Sequence, residues 1–540
     1  MTIREQLNSI AEKRIIILDG AMGSVVQILN LDEKSYRGEL FAEHPIPLEG
    51  CNDILCLTRP GAIGAIHDTY LEAGADIIET CSFNSTSISL ADYQLEQYSY
   101  EINAAAAKIA RNSADKFSAH GKPRFVAGSI GPTAKGASLY PDINNPGKRS
   151  IEWDELETAY YDCARGLLDG GVDIFLVETV FDTLNAKAAL FAISKLLEER
   201  QVDVPIIISA AVSGEGGRLL SGQNLEAFMI SVLHVKPWAI GLNCSFNAQK
   251  LMPHVRTLSE MAPCLVSAYP NAGIPNKYKR YDETPEIMAA HIEPFLKEGL
   301  INIVGGCCGS SPAHIAAIAD KAQKCPPRTI INQQAKNYRS FYSGLEPLWI
   351  HNNKINFNNA GESKDKDEFL KALACGEYED AADIARDIIE NGSSILNIAI
   401  NENNIKILSS FLDFALMNPY IAKVPFYINS PELSIITAGL KRIQGKGFAG
   451  PVNLKDGEDE FIKKIKIIHH FGAAAVITPV DEQGCIKTDE QKMEIAGRIY
   501  QILINNNIPA EKIVFDQFIT EENPLCLWIQ DNCPGVFIAL

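Results

Sequence analysis

Two short stretches hold the residue types best suited to chemistry: Gly305-Gly306-Cys307-Cys308-Gly309 and, upstream, Asn243-Cys244. Neighbouring residues of a strand point to opposite faces. Adjacent thiols therefore reach one ion only where the backbone turns sharply, which flanking glycines permit. Thiolates gathered this way are a zinc signature. A Cys-Cys pair taken alone is equally at home as two small buried hydrophobes. Three features favour the metal: the pair closes the apolar run Ile301 to Val304, Cys244 closes Ala239 to Leu242, and Ser310-Ser311-Pro312 opens a helix. Strand ends that feed helices are where barrel enzymes keep their chemistry. A purely structural zinc needs a fourth protein ligand, and no nearby Cys or His completes a set. Cys81, which follows Thr80 at another strand end, is the thiol that could close the site and block it.

The elements that must position these residues run from residue 15 to about 325. Eight apolar runs alternate with helical stretches there: Ile15 to Leu18, Ala75 to Ile78, Phe125 to Ile130, Asp173 to Val177, Pro205 to Ala211, Ala239 to Asn243, Cys264 to Ala268 and Ile301 to Val304. The spacing predicts an α/β fold, a TIM (β/α)8 barrel, with an open doubly wound sheet as the alternative. The runs end on polar residues, including Asp19-Gly20, Glu79-Thr80, Glu178-Thr179, Asn243-Cys244 and Cys307-Cys308. Strand ends this polar are costly in a core and expected around an active-site mouth. Any single one could instead cap a helix.

The chain divides into a barrel over 1–325, a linker over 326–344 containing Pro326-Pro327 and Gln333-Gln334, and a second α/β region over 345–540. The second region's expected strands are Leu348 to Ile350, Ser394 to Ile400, Val424 to Ile428, Phe448 to Leu454, Ala473 to Ile477, Ile513 to Asp516 and Gly535 to Ala539. Seven runs suggest an incomplete or modified β/α barrel whose open edge is covered by a partner or removed by rearrangement.

A formal charge of -18 over 540 residues argues against nucleic acid and anionic membrane surfaces as partners. No apolar run has signal-peptide or membrane-spanning length. Thirteen cysteines scattered through apolar runs point to reduced thiols in the cytoplasm.

Residues 15–325 resemble the homocysteine-binding barrel of cobalamin-dependent methionine synthase. The matching stretches are Leu18-Asp19-Gly20-Ala21-Met22-Gly23, Glu72 to Thr80, Glu178 to Lys187, Leu220-Ser221-Gly222-Gln223, Gly241-Leu242-Asn243-Cys244, Pro270-Asn271-Ala272-Gly273 and Gly305 to Gly309. The resemblance implies that Cys244, Cys307 and Cys308 bind Zn2+, with the homocysteine thiol as fourth ligand. It also implies that Asp19, Gly20, Thr80 and Glu178, with Asn243 beside them, hold the amino-acid end of that substrate. Acidic strand ends suit an ammonium, which needs acceptors. Three thiolates on a divalent ion still lower a fourth thiol's pKa, so the substrate sulfur is the expected nucleophile and no side chain is.

Residues 345–540 resemble the same enzyme's folate-binding barrel, a pterin-binding domain of dihydropteroate synthase type, through Gly445-Lys446-Gly447, Leu454-Lys455-Asp456-Gly457 and Asp481-Glu482-Gln483-Gly484. The family's pterin-holding positions have changed: Asn397 and Asn401 replace aspartates, Asn429 replaces another, Gly450 replaces an asparagine, and Gln517-Phe518 follows Asp516. A carboxylate accepts two N–H bonds from a pterin edge, whereas an amide sets one donor against a donor. Each such mismatch costs about 1–3 kcal/mol, so loss of methyltetrahydrofolate binding is expected. The Asp-x-His-x-x-Gly element that ligates cobalamin in the family is missing from the sequence, so methylcobalamin is expected from a separate cobalamin-binding protein. The alternatives are a direct donor, such as S-methylmethionine or betaine, and a non-catalytic homocysteine-binding regulator.

Overall fold

The computed structural model describes residues 1–540 except 120–121, 141, 143–146, 215, 276–280, 331–339, 351–352, 358–362, 400–403, 485–487, 517–522 and 540, with side chains at 340–341 and 363–366 also outside the description. Gln333, Gln334, Asn401, Gln517 and Phe518 lie outside the described residues.

The chain forms two compact units, one of residues 1–136, 151–221 and 236–331, the other of 137–150, 222–235 and 332–540. The first unit is built on eight parallel strands: β1 (Ile16–Ile17), β2 (Ile77–Glu79), β3 (Phe125–Ile130), β4 (Ile174–Val180), β5 (Ile206–Ala210), β6 (Ala239–Asn247), β7 (Leu265–Asn271) and β8 (Ile303–Val304). Each coincides with an apolar run of the sequence. Neighbours pair in chain order, β8 pairs with β1, and a parallel bridge from Leu18 to Ile77 brings β1 against β2. The result is a TIM-type barrel. The strands read as continuous apolar runs because both faces are covered: helices lie outside, and the interior holds Ile16, Ile77, Phe125, Leu176, Ile207, Leu265, Tyr269 and Ile303.

Helix starts follow from local chemistry. Asp182 accepts from Leu184 N–H to begin Thr183–Arg200, and Asn247 accepts from Lys250 N–H to begin Ala248–Met261. Ser311 caps Pro312–Ala322, whose first residue is a proline with no N–H to satisfy.

The second unit contains an antiparallel hairpin, β9 (Ser340–Ser343) and β10 (Pro347–Ile350), and a seven-stranded parallel sheet. Its strands are β11 (Lys354–Ile355), β12 (Leu396–Ala399), β13 (Phe426–Asn429), β14 (Phe448–Val452), β15 (Ala474–Ile477), β16 (Ile513–Phe515) and β17 (Phe537–Ala539). Two expectations change. The apolar run at 348–350 forms the hairpin, and the shorter Lys354–Ile355 takes the first sheet position. The last strand is not an open edge, because Lys354 and Ile355 pair with Ile538 and Ala539. Just after β11, the Phe357 carbonyl accepts from Asn397 Nδ2 of β12 at 3.3 Å.

Segments 137–150 and 222–235 are integral to this unit. Arg149, 7% exposed, pairs with Asp413 at 2.6 Å and donates to the Ala137 carbonyl at 2.7 Å. Gln223 donates to the Gly344 carbonyl at 2.7 Å, and Asn224 to Glu346 at 2.6 Å.

Candidate metal and substrate site

The thiols converge at the carboxyl ends of β6 and β8. In β6 the register against β7 slips between Cys244 and Asn247, and Cys244 and Ser245 both adopt left-handed backbone, φ 54° and 58°. That bulge re-aims the Cys244 thiol. After β8 the chain is held by Cys307 N–H to the Pro270 carbonyl (2.8 Å) and Ala272 N–H to the Cys308 carbonyl (2.9 Å). Gly309, at φ +82°, lies so close beneath Tyr281 that no Cβ fits there.

The three sulfurs all lie within 4.8 Å of one another, the one such His/Cys/Asp/Glu group of three among the described residues. Cys244 Sγ and Cys308 Sγ are 3.8 Å apart. Tetrahedral zinc with Zn–S bonds of about 2.3 Å requires sulfurs about 3.8 Å apart, so the donor set fits that ion with three ligands. Cys81 takes no part: its Sγ is spent on the Asn52 carbonyl at 3.7 Å. Hydrogen bonds from Cys244 and Cys307, with a further one from Tyr281, hold the Cys308 thiol well below the ordinary range.

Beside the thiols, three carboxylates share one barrel mouth. Asp19, 2% exposed, accepts Glu79 N–H on Oδ2 at 3.0 Å, while its Oδ1 is buried with no partner. Glu178, at a bulge of β4, accepts the Ser129 hydroxyl at 2.5 Å. Burial raises Asp19, Glu79 and Glu178 above the usual carboxylate range, Glu178 to about 7, and mutual repulsion adds to the first two. The Tyr269 hydroxyl faces Glu178 without a fully formed hydrogen bond. Such a mouth is short of donors and of positive charge.

The remaining residues singled out in the sequence have other surroundings. Gly20 leaves room for nothing larger, since a Cβ would stand 2.7 Å from Ser310 Oγ and 2.9 Å from Tyr70. The Thr80 hydroxyl is used internally, bonding Ser129 N–H at 2.9 Å and Ser82 Oγ at 2.6 Å. Asn243, fully buried, bonds Thr179 and Ser209 and donates to Cys307 Sγ at 3.9 Å. Glu79 and Thr179 are named in the sequence only as polar strand ends without a role, and Ser129 and Tyr281 are not singled out at all. Glu79 had a signal in its place beside Thr80; Tyr281 had none, being brought to Cys308 by a loop.

In the second unit, Asn429 Nδ2 donates to Asn397 Oδ1 at 3.2 Å, and Asn397 Nδ2 is engaged with Phe357. One hydrogen bond thus joins the two amides, and the Asn397 amide is engaged at both its oxygen and its nitrogen. Gly450 on β14 stands beside Asn429 in register and offers no side chain.

Residues 16–322 match the homocysteine S-methyltransferase family, and residues 364–522 match the pterin binding enzyme family. Fold and match together define the class: the protein is a methyltransferase. The chain belongs to the homocysteine S-methyltransferase family, whose match spans more than half of its 540 residues. Among solved structures it is similar to the homocysteine methyltransferase MmuM from Escherichia coli. The oxidized form is 21% identical over 57% of this chain and 96% of that one, with a TM-score of 0.45. For the metallated form the values are 22%, 59%, 99% and 0.43. A Rubisco-like protein from Rhodopseudomonas palustris is similar at 11% identity, over 60% of this chain and 69% of that one, with a TM-score of 0.31. No helix among the described residues is long and apolar enough to cross a membrane.

Proposed function

We propose that the protein is a zinc-dependent homocysteine S-methyltransferase of the methionine synthase type, acting in the cytoplasm and making methionine. The observation that carries this reading is the thiol triad with one sulfur pair at the 3.8 Å spacing of a tetrahedral zinc site. Cys244, Cys307 and Cys308 would hold the ion, which when bound supplies the Lewis acidity that keeps a further thiol deprotonated at neutral pH.

The chain's own groups do the rest. Asp19, Glu79 and Glu178 accept the substrate ammonium, which supplies the positive charge their shared burial lacks. Gly20, whose missing side chain lets Ser310 and Tyr70 pack against the strand end, shapes the wall beside Asp19. Asn243 acts from beneath on Cys307. The nucleophile is the substrate's own sulfur, so no side chain has to attack.

The methyl donor in this reading is methylcobalamin presented by a separate cobalamin-binding protein. Its support is the pairing of the two family domains, the arrangement of methionine synthase. The second unit no longer binds methyltetrahydrofolate, because the Asn397 amide is taken up by Asn429 and the Phe357 carbonyl and amides cannot replace carboxylates at a pterin edge. Calorimetric titration should show no micromolar folate binding.

The experiment is incubation of the zinc-loaded protein and homocysteine with methylcobalamin, in parallel with S-methylmethionine and betaine. Methionine is expected from methylcobalamin. Methionine from a direct donor alone would overturn the cobalamin assignment, and none from any donor, with homocysteine still bound, would make the protein a regulator.

A further inference from the structure

Thr179 has backbone φ 55°. Left-handed backbone is a genuine outlier for a β-branched residue, and such strain persists where the surroundings over-determine it, often at functional sites. Thr179 lies at the bulge where the register of β4 on β5 slips between Val177 and Val180. What the conformation achieves is visible in its contacts. The Thr179 N–H donates to Asn243 Oδ1 at 3.0 Å, and its hydroxyl accepts from Asn243 Nδ2 at 2.7 Å. One residue thereby clasps both ends of one amide.

The clasp removes an ambiguity. An amide can ordinarily be turned over at little cost, exchanging its oxygen and nitrogen. A backbone N–H can only donate, so the atom facing it must be Oδ1. The Ser209 hydroxyl reaches the same oxygen at 2.8 Å. With the oxygen fixed, Nδ2 has one hydrogen for Thr179 Oγ1 and one for Cys307 Sγ, 3.9 Å away. Asn243 is fully buried, and no water is needed to complete its four bonds. A turned amide would present its oxygen to a thiolate.

We propose that Thr179 is a positioning residue of the thiol site: its left-handed backbone and its hydroxyl together lock the Asn243 amide so that Nδ2 donates to Cys307. This rests on the zinc-thiolate reading above. Donors to a metal-bound sulfur orient the ligand and moderate its charge, and outer partners of this kind are worth about 10–100-fold in metal affinity.

The test compares wild type with Thr179→Ala, Thr179→Ser and Ser209→Ala. Zinc dissociation constants come from competition with a chromophoric chelator, sulfur-to-metal charge-transfer bands from the cobalt-loaded proteins, and melting temperatures from the metal-free ones. Thr179→Ala should weaken zinc by about 10–100-fold and shift the cobalt band, without a matching loss of metal-free stability, because the β-branch is no longer forced into left-handed backbone. Thr179→Ser should restore affinity and spectrum to within about threefold of wild type. Ser209→Ala, which leaves both Thr179 contacts with the amide, the backbone N–H on Oδ1 and the hydroxyl on Nδ2, should also stay within about threefold. An unshifted spectrum and unchanged affinity in Thr179→Ala, or an equal loss in Ser209→Ala, would overturn the proposal while the zinc site stands. A wild type that takes up no zinc would overturn both.

Discussion

Asp19→Asn should have opposite effects on the empty and the occupied site. Asp19 is 2% exposed, one oxygen accepts Glu79 N–H and the other has no protein partner. Its burial and the nearby Glu178 both favour the neutral form. Asparagine keeps an acceptor for Glu79 N–H and removes the charge, relieving a buried unpaired group worth about 1–3 kcal/mol. The metal-free, ligand-free variant should therefore melt a few degrees above wild type, at roughly 1.5–2 °C per kcal/mol for a unit larger than about 250 residues. In the occupied site the loss is a charge-assisted hydrogen bond to the ammonium, about 1.5–3 kcal/mol, or roughly 10–150-fold in homocysteine affinity. Calorimetric titration with homocysteine and thermal melts of the same preparations measure both. A variant that melts below wild type and binds homocysteine equally well would show that Asp19 serves Glu79 alone and that the ammonium sits elsewhere.

Arg149→Met should destabilise the second unit by about 3 kcal/mol, toward the lower end for a broken buried pair, because Arg442 stays on Asp413 at 3.2 Å; an unchanged melting midpoint would refute the integration of segment 137–150. For the same reason, residues 332–540 expressed alone should not give a cooperative unfolding transition. His469 is buried, and burial with the nearby Lys512 lowers its pKa to about 3. The unfolded chain binds a proton that the folded chain refuses, so the second unit's stability is full above about pH 6.5 and falls as pH drops toward 3, by about 1.4 kcal/mol per pH unit. His469→Gln should flatten that slope in urea titrations at pH 4, 5 and 7, and an unaltered slope would place the titrating group elsewhere.

The first barrel is legible because each strand is a buried parallel strand and so an unbroken apolar run; Phe125 to Ile130 is found without a residue's change. The thiol triad is legible because glycines and strand ends announce a turn. The second unit's first strand is misplaced for a physical reason: the hairpin residues Pro347–Ile350 are more apolar than Lys354–Ile355, and apolarity alone cannot tell a hairpin from a barrel strand. Thr179 is legible as part of a polar strand end, but its hold on Asn243 is not, since nothing in Glu178-Thr179 signals left-handed backbone. Segments 137–150 and 222–235 carry too little periodicity to show which unit they join. Asn397 and Asn429 read as lost carboxylates, and only the structure shows that they bond each other.

The central claim is three protein sulfurs on one zinc with a position left for substrate. Zinc-edge X-ray absorption on the purified protein, with and without selenohomocysteine, tests it directly. One zinc per chain with three sulfur neighbours, gaining a selenium neighbour when the analogue is added and absent from Cys308→Ser, is the predicted result. A zinc already held by four protein ligands, or one whose surroundings do not change with the analogue, would contradict it.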